Sequence, residues 1–491
     1  MPRPRRRPRT LGLAALAAVL AASAPSALAQ SQQRQFERAV RDAQGDDDRL
    51  EYRVKIDRDL SWNERNVYEV GGFANYTFIY LTDRDDNSRT LNQFETTVFG
   101  RFVFDAAHTV FVRGRFRNQQ FSPGDSFDGR GDGWRKPFLD RYWYEFDARN
   151  MIAANEGRTV DWNINFRGGR QFVDFGAGLV FSEVLLGGRI TGEFGNGLAI
   201  HGIAGLTPGD EAVTDFDSSR DEFNRDTKRG LFGGMIEYTT PSDDVFYGFG
   251  VYSPDFNDDP QRIRGIPGAV ADFEYNAAYV GVGANGSFTS QLLYLAEFVY
   301  QFGESRSDPF QGGGLQSEED ISAFAARGGL TWVFRDANRS QIKFDTAFAS
   351  GDDDRLFSTT DTVFGNRPGT DDNAFNSLGF VQTGLAFAPA LSNLMLFRAG
   401  ASTFPFYGTT DFNQLQLGID VILTAKLDQD APIEEITEDK TYLGTEIDFT
   451  ANWRLTSDFT LNARYGMFFP GPAIIRNHTR HFVFFGATLS F

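Results

Sequence analysis

Leu443-Gly444-Thr445-Glu446-Ile447-Asp448-Phe449-Thr450-Ala451-Asn452-Trp453-Arg454-Leu455 is the stretch that decides the fold. Leu443, Thr445, Ile447, Phe449, Ala451, Trp453 and Leu455 share one face of an extended chain, and Gly444, Glu446, Asp448, Thr450, Asn452 and Arg454 share the other. The run is long enough for a tilted strand to cross lipid. After a short turn at Thr456-Ser457-Asp458 the pattern repeats. Phe459, Leu461, Ala463, Tyr465 and Met467 oppose Thr460, Asn462, Arg464 and Gly466. The chain closes on a third such strand beginning at His481, with Val483, Phe485, Ala487, Leu489 and the terminal Phe491 on one face.

Working backwards, weaker alternation predicts strands at 67–81, 91–104, 109–117, 138–148, 160–171, 198–206, 229–240 and 245–253. Others fall at 273–286, 288–302, 321–334, 341–350, 378–388, 394–404 and 414–426, with 52–56 and 180–190 as doubtful members. No later apolar run could form a membrane helix, because each is soon broken by a charge, Gly or Asn. Lipid offers no partner to backbone N–H and C=O groups, so strands can span it only as a closed barrel. The expected fold is therefore all-β: a transmembrane antiparallel β-barrel of about eighteen strands, with sixteen as the alternative, since such barrels usually have even numbers.

Composition agrees. Of 491 residues, 50 are Phe and 51 Gly, yet mean hydropathy is negative. That combination suits one greasy face, one wet face and aromatic girdles better than a soluble core. Residues 1–29 read as a secretory signal: Arg3, Arg5, Arg6, Arg7 and Arg9, then an apolar run from Leu11 to Leu20, then Ala27-Leu28-Ala29. Residues 30–48 read as a periplasmic N-terminal arm and 49–491 as the barrel, which places the protein in a bacterial outer membrane. The absence of cysteine excludes a disulfide framework, Cys-based zinc sites and a thiol nucleophile. A net charge of −18 excludes a nucleic-acid binder.

Side counting exposes a conflict. The short turns at 456–458 and 335–339 both look periplasmic, so an even number of strands must separate them. The pattern gives five. Either a strand is missed or merged, or one long segment is periplasmic.

The same phase picks out the lumen. Arg113, Arg115 and Arg117 alternate with Val112, Gly114 and Phe116, so all three guanidiniums should point inward, and Arg101, Arg141, Arg167, Arg327, Arg398 and Arg464 follow by the same argument. On the lipid side each would cost ~2–4 kcal/mol near the midplane. Planar guanidiniums suit carboxylates and attract anions. Lumen-phase acids are also plentiful: Glu95, Glu145, Glu237, Glu297, Asp345, Asp420, Glu446 and Asp448. Pairing that braces the wall is the competing role for these arginines.

Other constellations are thin. Asp125, Asp128 and Asp132, and Asp83, Asp85 and Asn87, lie in acidic loops but lack the sixth-position Gly and flanking helices of an EF-hand. Solvated loops are expected, with no metal site and no cofactor. His108, His201, His478 and His481 have no Ser and carboxylate at recognisable spacing, so no catalytic residues are assigned. Gly168 and Gly169 sit inside a strand pattern, where Gly marks a bulge or close approach.

Leu443-Gly444-Thr445-Glu446-x-Asp448, followed after a hairpin by Phe468-Phe469-Pro470-Gly471, resembles the C-terminal signature of the alginate export family of outer-membrane porins. Gly169-Arg170-Gln171, then Gly176–Gly178 and Gly187-Gly188, is similar to that family's middle. The resemblance implies an eighteen-strand barrel for passive movement of solutes, with an arginine-rich lumen in polysaccharide exporters. It adds Arg170 and Gln171 to the motif residues and makes Glu446 and Asp448 wall residues facing the lumen.

The expected function is a porin passing hydrophilic or anionic solutes, such as the polysaccharide alginate, by passive diffusion, with a long loop folded in to narrow the bore. A general or phosphate-type porin is the nearest alternative; an outer-membrane lipid hydrolase and a non-conducting surface barrel are the alternatives of another class. The expected partners are outer-membrane lipid and lipopolysaccharide, the transported solute, and the barrel assembly machinery through Phe491.

Overall fold

The computed structural model describes residues 62–122, 131–209, 215–221, 223, 227–258, 260–311, 313–408 and 411–491. The expected signal, the N-terminal arm, the doubtful strand at 52–56, Asp125 and Asp128 lie outside them.

Eighteen antiparallel strands form one closed wall. The first six are β1 (Val67–Thr82), β2 (Ser88–Phe104), β3 (His108–Ser122), β4 (Phe138–Asp147), β5 (Asn163–Phe175) and β6 (Phe181–Glu193). Then come β7 (Leu198–Leu206), β8 (Gly230–Thr239), β9 (Val245–Ser253), β10 (Tyr275–Thr289), β11 (Leu292–Arg306) and β12 (Glu318–Val333). The last are β13 (Gln341–Ala349), β14 (Leu394–Thr403), β15 (Leu415–Ala425), β16 (Tyr442–Arg454), β17 (Phe459–Pro470) and β18 (Arg480–Ser490). Each pairs with its sequence neighbours, and Gly133–Trp134 adds a short piece beside β3. The seam joins β18 to β1 from Phe73↔Ser490 to Leu81↔Phe482, so the spanning wall has no open edge.

The alternation holds. On β3, Phe111, Arg113, Arg115, Arg117 and Gln119 are buried inside the barrel, while Phe116 is exposed outside with Phe94, Val98, Phe298, Phe324, Val421 and Phe449 of other strands. Connections at one end are short, including 105–107, 194–197, 290–291 and 455–458, and this end is periplasmic by the barrel rule. Helix α1 (Ala148–Glu156) lies at the same end. Asp147 caps it by accepting the Asn150 N–H at 2.7 Å, Gly157 ends it at φ +68°, and Arg65 holds it by donating to Ala154 O at 2.5 Å. The opposite end carries the long segments 207–229, 254–274, 350–393 and 426–441.

Two strand expectations change. Residues 378–388 are not a strand; they belong to segment 350–393, which folds inside the barrel. The doubtful 180–190 is the core of β6. Four strands, β13 to β16, therefore separate the two short turns, which resolves the odd count. The mistaken pattern has a physical source: Leu378, Leu385, Ala386, Phe387 and Ala388 are buried, because a loop packed within the lumen needs apolar side chains as a wall strand does.

Candidate functional site

A septum crosses the lumen, built from segment 350–393 and the turn at 176–180. Gly176 and Gly178 give that turn its positive φ angles of +64° and +83°, values that an L side chain resists. The two parts are stitched together by backbone. Phe380 N–H donates to Gly178 O at 2.8 Å, Ser182 N–H to Leu378 O at 3.0 Å, and the Ser377 hydroxyl to Leu179 O at 2.7 Å.

Wall side chains grip both parts. Glu297 accepts from Ala177 N–H and, at 2.6 Å, from the Tyr247 hydroxyl; Arg327 donates to Ala177 O at 3.1 Å. Glu446 accepts three consecutive amides, from Leu385, from Ala386 at 2.7 Å and from Phe387 at 2.8 Å. Arg398 donates to Gln382 O at 2.6 Å, and Phe387 stacks on Phe468 with centroids 4.3 Å apart. Sequence reasoning placed Glu446, Arg327 and Arg398 on the inner wall; the structure makes them anchors of the septum. Gln382 lines cavities on both sides of it.

The arginine strip lies on β3 and β4. Arg113, Arg115 and Arg117 are only 8%, 5% and 8% exposed, and Arg141 is buried beside them. Arg113 pairs with both oxygens of Asp140, at 3.1 and 2.8 Å. Arg115 Nε lies 3.2 Å from Asp140 and 3.4 Å from Glu95, and Arg117 donates to Glu95 at 2.7 Å. Asp140 was missed in the sequence because a bulge supplies it. The register passes from Arg113↔Arg141 to Gly114↔Leu139, leaving Asp140 as the extra residue. No periodicity signals such an insertion. Bracing and positive charge thus coexist, with four guanidiniums gathering round two carboxylates among the described residues.

Below the strip, Phe73, Phe99, Phe111 and Trp143 stack across four adjacent strands, and Arg167 caps the stack 4.1 Å over the Trp143 ring while pairing with Glu145 at 2.5 Å. Arg101 and Arg464 are half-buried on inward-phase positions. Arg170 is buried, but its register partners Tyr142 and Leu186 are exposed outside, so simple alternation does not carry to it. Gly169, at φ +139°, breaks the pleat there; a Cβ on it would lie 2.3 Å from Tyr142 O. This is the close approach expected of that glycine. Gln171 is fully buried and donates to Gly187 O at 3.3 Å.

In the outer loops, Arg220 and Arg229 share Asp215 and Asp255 in a buried cluster, with Arg229 Nε 2.6 Å from Asp215. Nearby, Asp361 accepts the Ser218 N–H at 2.7 Å while Asp217 accepts the Thr362 N–H at 3.0 Å, a reciprocal clasp between segment 207–229 and the septum segment. Burial, then the neighbouring Asp217, pushes Asp361 up to about 7. Burial also pushes Asp352 up to about 6. Asp352, Asp353 and Asp354 form an acidic group, with Asp352 already bonded to the amides of Asp354 and Asn373. Asp83 likewise accepts the amides of Asp85 and Asn87, closing its own turn. His108 and His481 bond to Tyr144 and Tyr465.

The family model for alginate export matches residues 218–486 of this wall and its septum. The chain belongs to the alginate export family. Its fold is shared with crystal structures of Pseudomonas aeruginosa OccK8 (OprE), at TM-score 0.51 and 11% identity, covering 86% of this chain and 98% of that one. Acinetobacter baumannii OccAB3 gives TM-score 0.51 at 8% identity, with 86% and 99% covered. Pseudomonas aeruginosa OccK5 (OpdH) gives 0.50 at 10%, with 86% and 98% covered. No curated protein matches the chain in sequence. The protein is an outer-membrane porin for solutes, and both family and fold point to a transport channel rather than an enzyme.

Proposed function

We propose that this porin passes anionic hydrophilic solutes by passive diffusion, an anionic polysaccharide such as alginate among them. The observation that carries the reading is the strip of Arg113, Arg115, Arg117 and Arg141, four guanidiniums gathered on the inner wall beside Asp140 and Glu95 among the described residues. Inside a low-dielectric wall such a concentration of guanidiniums favours anions at the bore. Arg101, Arg167, Arg170, Arg327 and Arg464 would extend the field, with Glu446 and Asp448 on the opposing charge. Outer-membrane lipid and lipopolysaccharide would surround the barrel, and Phe491 would be read by the assembly machinery.

Reversal potential across a planar bilayer under a salt gradient tests the reading. Anion preference is expected, and charge reversal of Arg113, Arg115 and Arg117 should lower it; an unchanged potential would sink the assignment. A second reading, a general porin for small solutes, draws on the septum itself, because a polymer needs a wider continuous bore. Uptake by liposomes of monomeric against polymeric uronate separates the two.

A further inference from the structure

On the periplasmic side of the septum the wall strands β13 to β17 enclose a polar cavity of about 230 Å³. Its roof includes Gln382. Its walls carry two positive and two negative groups: Lys343, Arg464, Asp420 and Asp448. We propose that this cavity binds a small zwitterion, one molecule carrying both an ammonium and a carboxylate. The inference goes beyond anion passage, because an anion alone would face the two aspartates and a cation alone would face Arg464 and Lys343.

Asp448 carries the argument. It is the direct register partner of Asp420, and like charges opposite one another on a sheet repel unless a cation lies between. Lys343 answers Asp420, with Nζ 3.3 Å from Oδ1. Asp448 is 2% exposed, its Oδ1 accepts no hydrogen bond, and among the described residues it forms no ion pair. A buried carboxylate oxygen that has lost water calls for a donor. An ammonium supplies three in a compact charge. Glu446, two residues earlier on the same face, touches the Asp448 carboxyl while holding the septum amides, so it brings Asp448 a second acid and no cation.

Arg464 sits two residues from Gly466, the register partner of Asp448, which sets the two charged side chains on a diagonal of roughly 7–8 Å. Side chains reaching in from that spacing suit the adjacent charges of an α-amino acid. The guanidinium fork fits the carboxylate, and Asn452 lies within the same lining for a hydroxyl or amide.

Single-channel current of the full chain in a planar bilayer tests this with three probes: serine, ethanolamine and glycolate. Serine should block the current with dwell times at least tenfold longer than either half-molecule. Asp448→Asn should shorten the serine dwell about tenfold, and Arg464→Gln should do the same. Equal dwell times for the three probes on the wild-type protein would overturn the proposal without any variant. An unchanged dwell in Asp448→Asn would overturn it as well. Reversal potential of the wild-type protein and of the Arg113, Arg115 and Arg117 reversals, read separately, reports on the anion reading, whereas the contrast among the three probes reports on this site.

Discussion

Glu446 on β16 accepts the backbone N–H of Phe387 at 2.8 Å. With the amides of Leu385 and Ala386 on the same carboxylate, a residue of the wall fixes a loop that enters from the far end of the barrel. Charged acceptors on amides are among the stronger hydrogen bonds. The loop therefore has a defined place in the lumen, and the bore is set by a strand that sequence patterning had already located.

Glu446→Ala should free the septum. Three buried amides would lose their acceptor, each at a cost of about 1–3 kcal/mol if left unpaired. The loop is expected to swing out before it bears that cost. Open-channel conductance should rise and its noise increase. Glu446→Gln should fall between, since its NH2 group opposes an amide N–H. Conductance indistinguishable from wild type in both variants would show that the septum is held by other contacts, Arg398 to Gln382 foremost.

Asp140→Asn separates bracing from charge. Asp140 sits among Arg113, Arg115 and Arg141. Breaking a buried pair of this kind costs about 3–5 kcal/mol, so heat resistance of the folded barrel should drop. At the same time the strip becomes more positive, and the reversal potential should shift toward anions. A loss of stability with no shift in selectivity would mean that the strip only braces the wall.

The wall was legible because lipid and water impose opposite demands on alternate residues. Arg113, Phe116 and Phe449 could be placed on their faces from phase alone. Asp140 could not, because a bulge adds one residue without a mark in the pattern. Residues 378–388 were misplaced for a related reason: inside the lumen Leu385 and Phe387 meet Phe468 and not water, so burial looks the same as in a strand. The family motif also made local sense only in three dimensions. Its glycines at 176 and 178 shape one half of the septum, and its Glu446 holds the other.

Acidity should tighten the clasp between the outer loops. Asp361 has an ordinary value near 3.8 and is held at about 7 when docked beside Asp217. A carboxyl raised in the folded state binds its proton more tightly there. Its contribution to docking is complete below the ordinary value and is lost as pH rises through about 7. Proteolytic nicking within segments 207–229 and 350–393 should be slow at pH 5 and faster at pH 8. Asp361→Asn, which mimics the protonated form, should flatten that response. A pH dependence identical in the variant would assign the titration elsewhere.

The seam offers a test of closure. Gly72 and Phe491 exchange two backbone hydrogen bonds, at 2.9 and 3.0 Å, and the terminal ring lies where a side chain on Gly72 would have to go. A Cβ there would come within 2.7 Å of the Phe491 ring and equally close to Thr97 O. The ring can move, but the carbonyl of the paired strand cannot without breaking its own ladder. Gly72→Val should therefore strain both joins of β1, to β2 through Thr97 and to β18 through Phe491, even though valine favours strands and lipid. Phe491→Ala should leave the ladder intact and remove only the ring. On an unheated detergent gel, Gly72→Val is expected to lose the compact fast-migrating form at a lower temperature than Phe491→Ala. If the two variants melted together, the glycine would matter only as room for the ring, and the steric argument from Thr97 would fail.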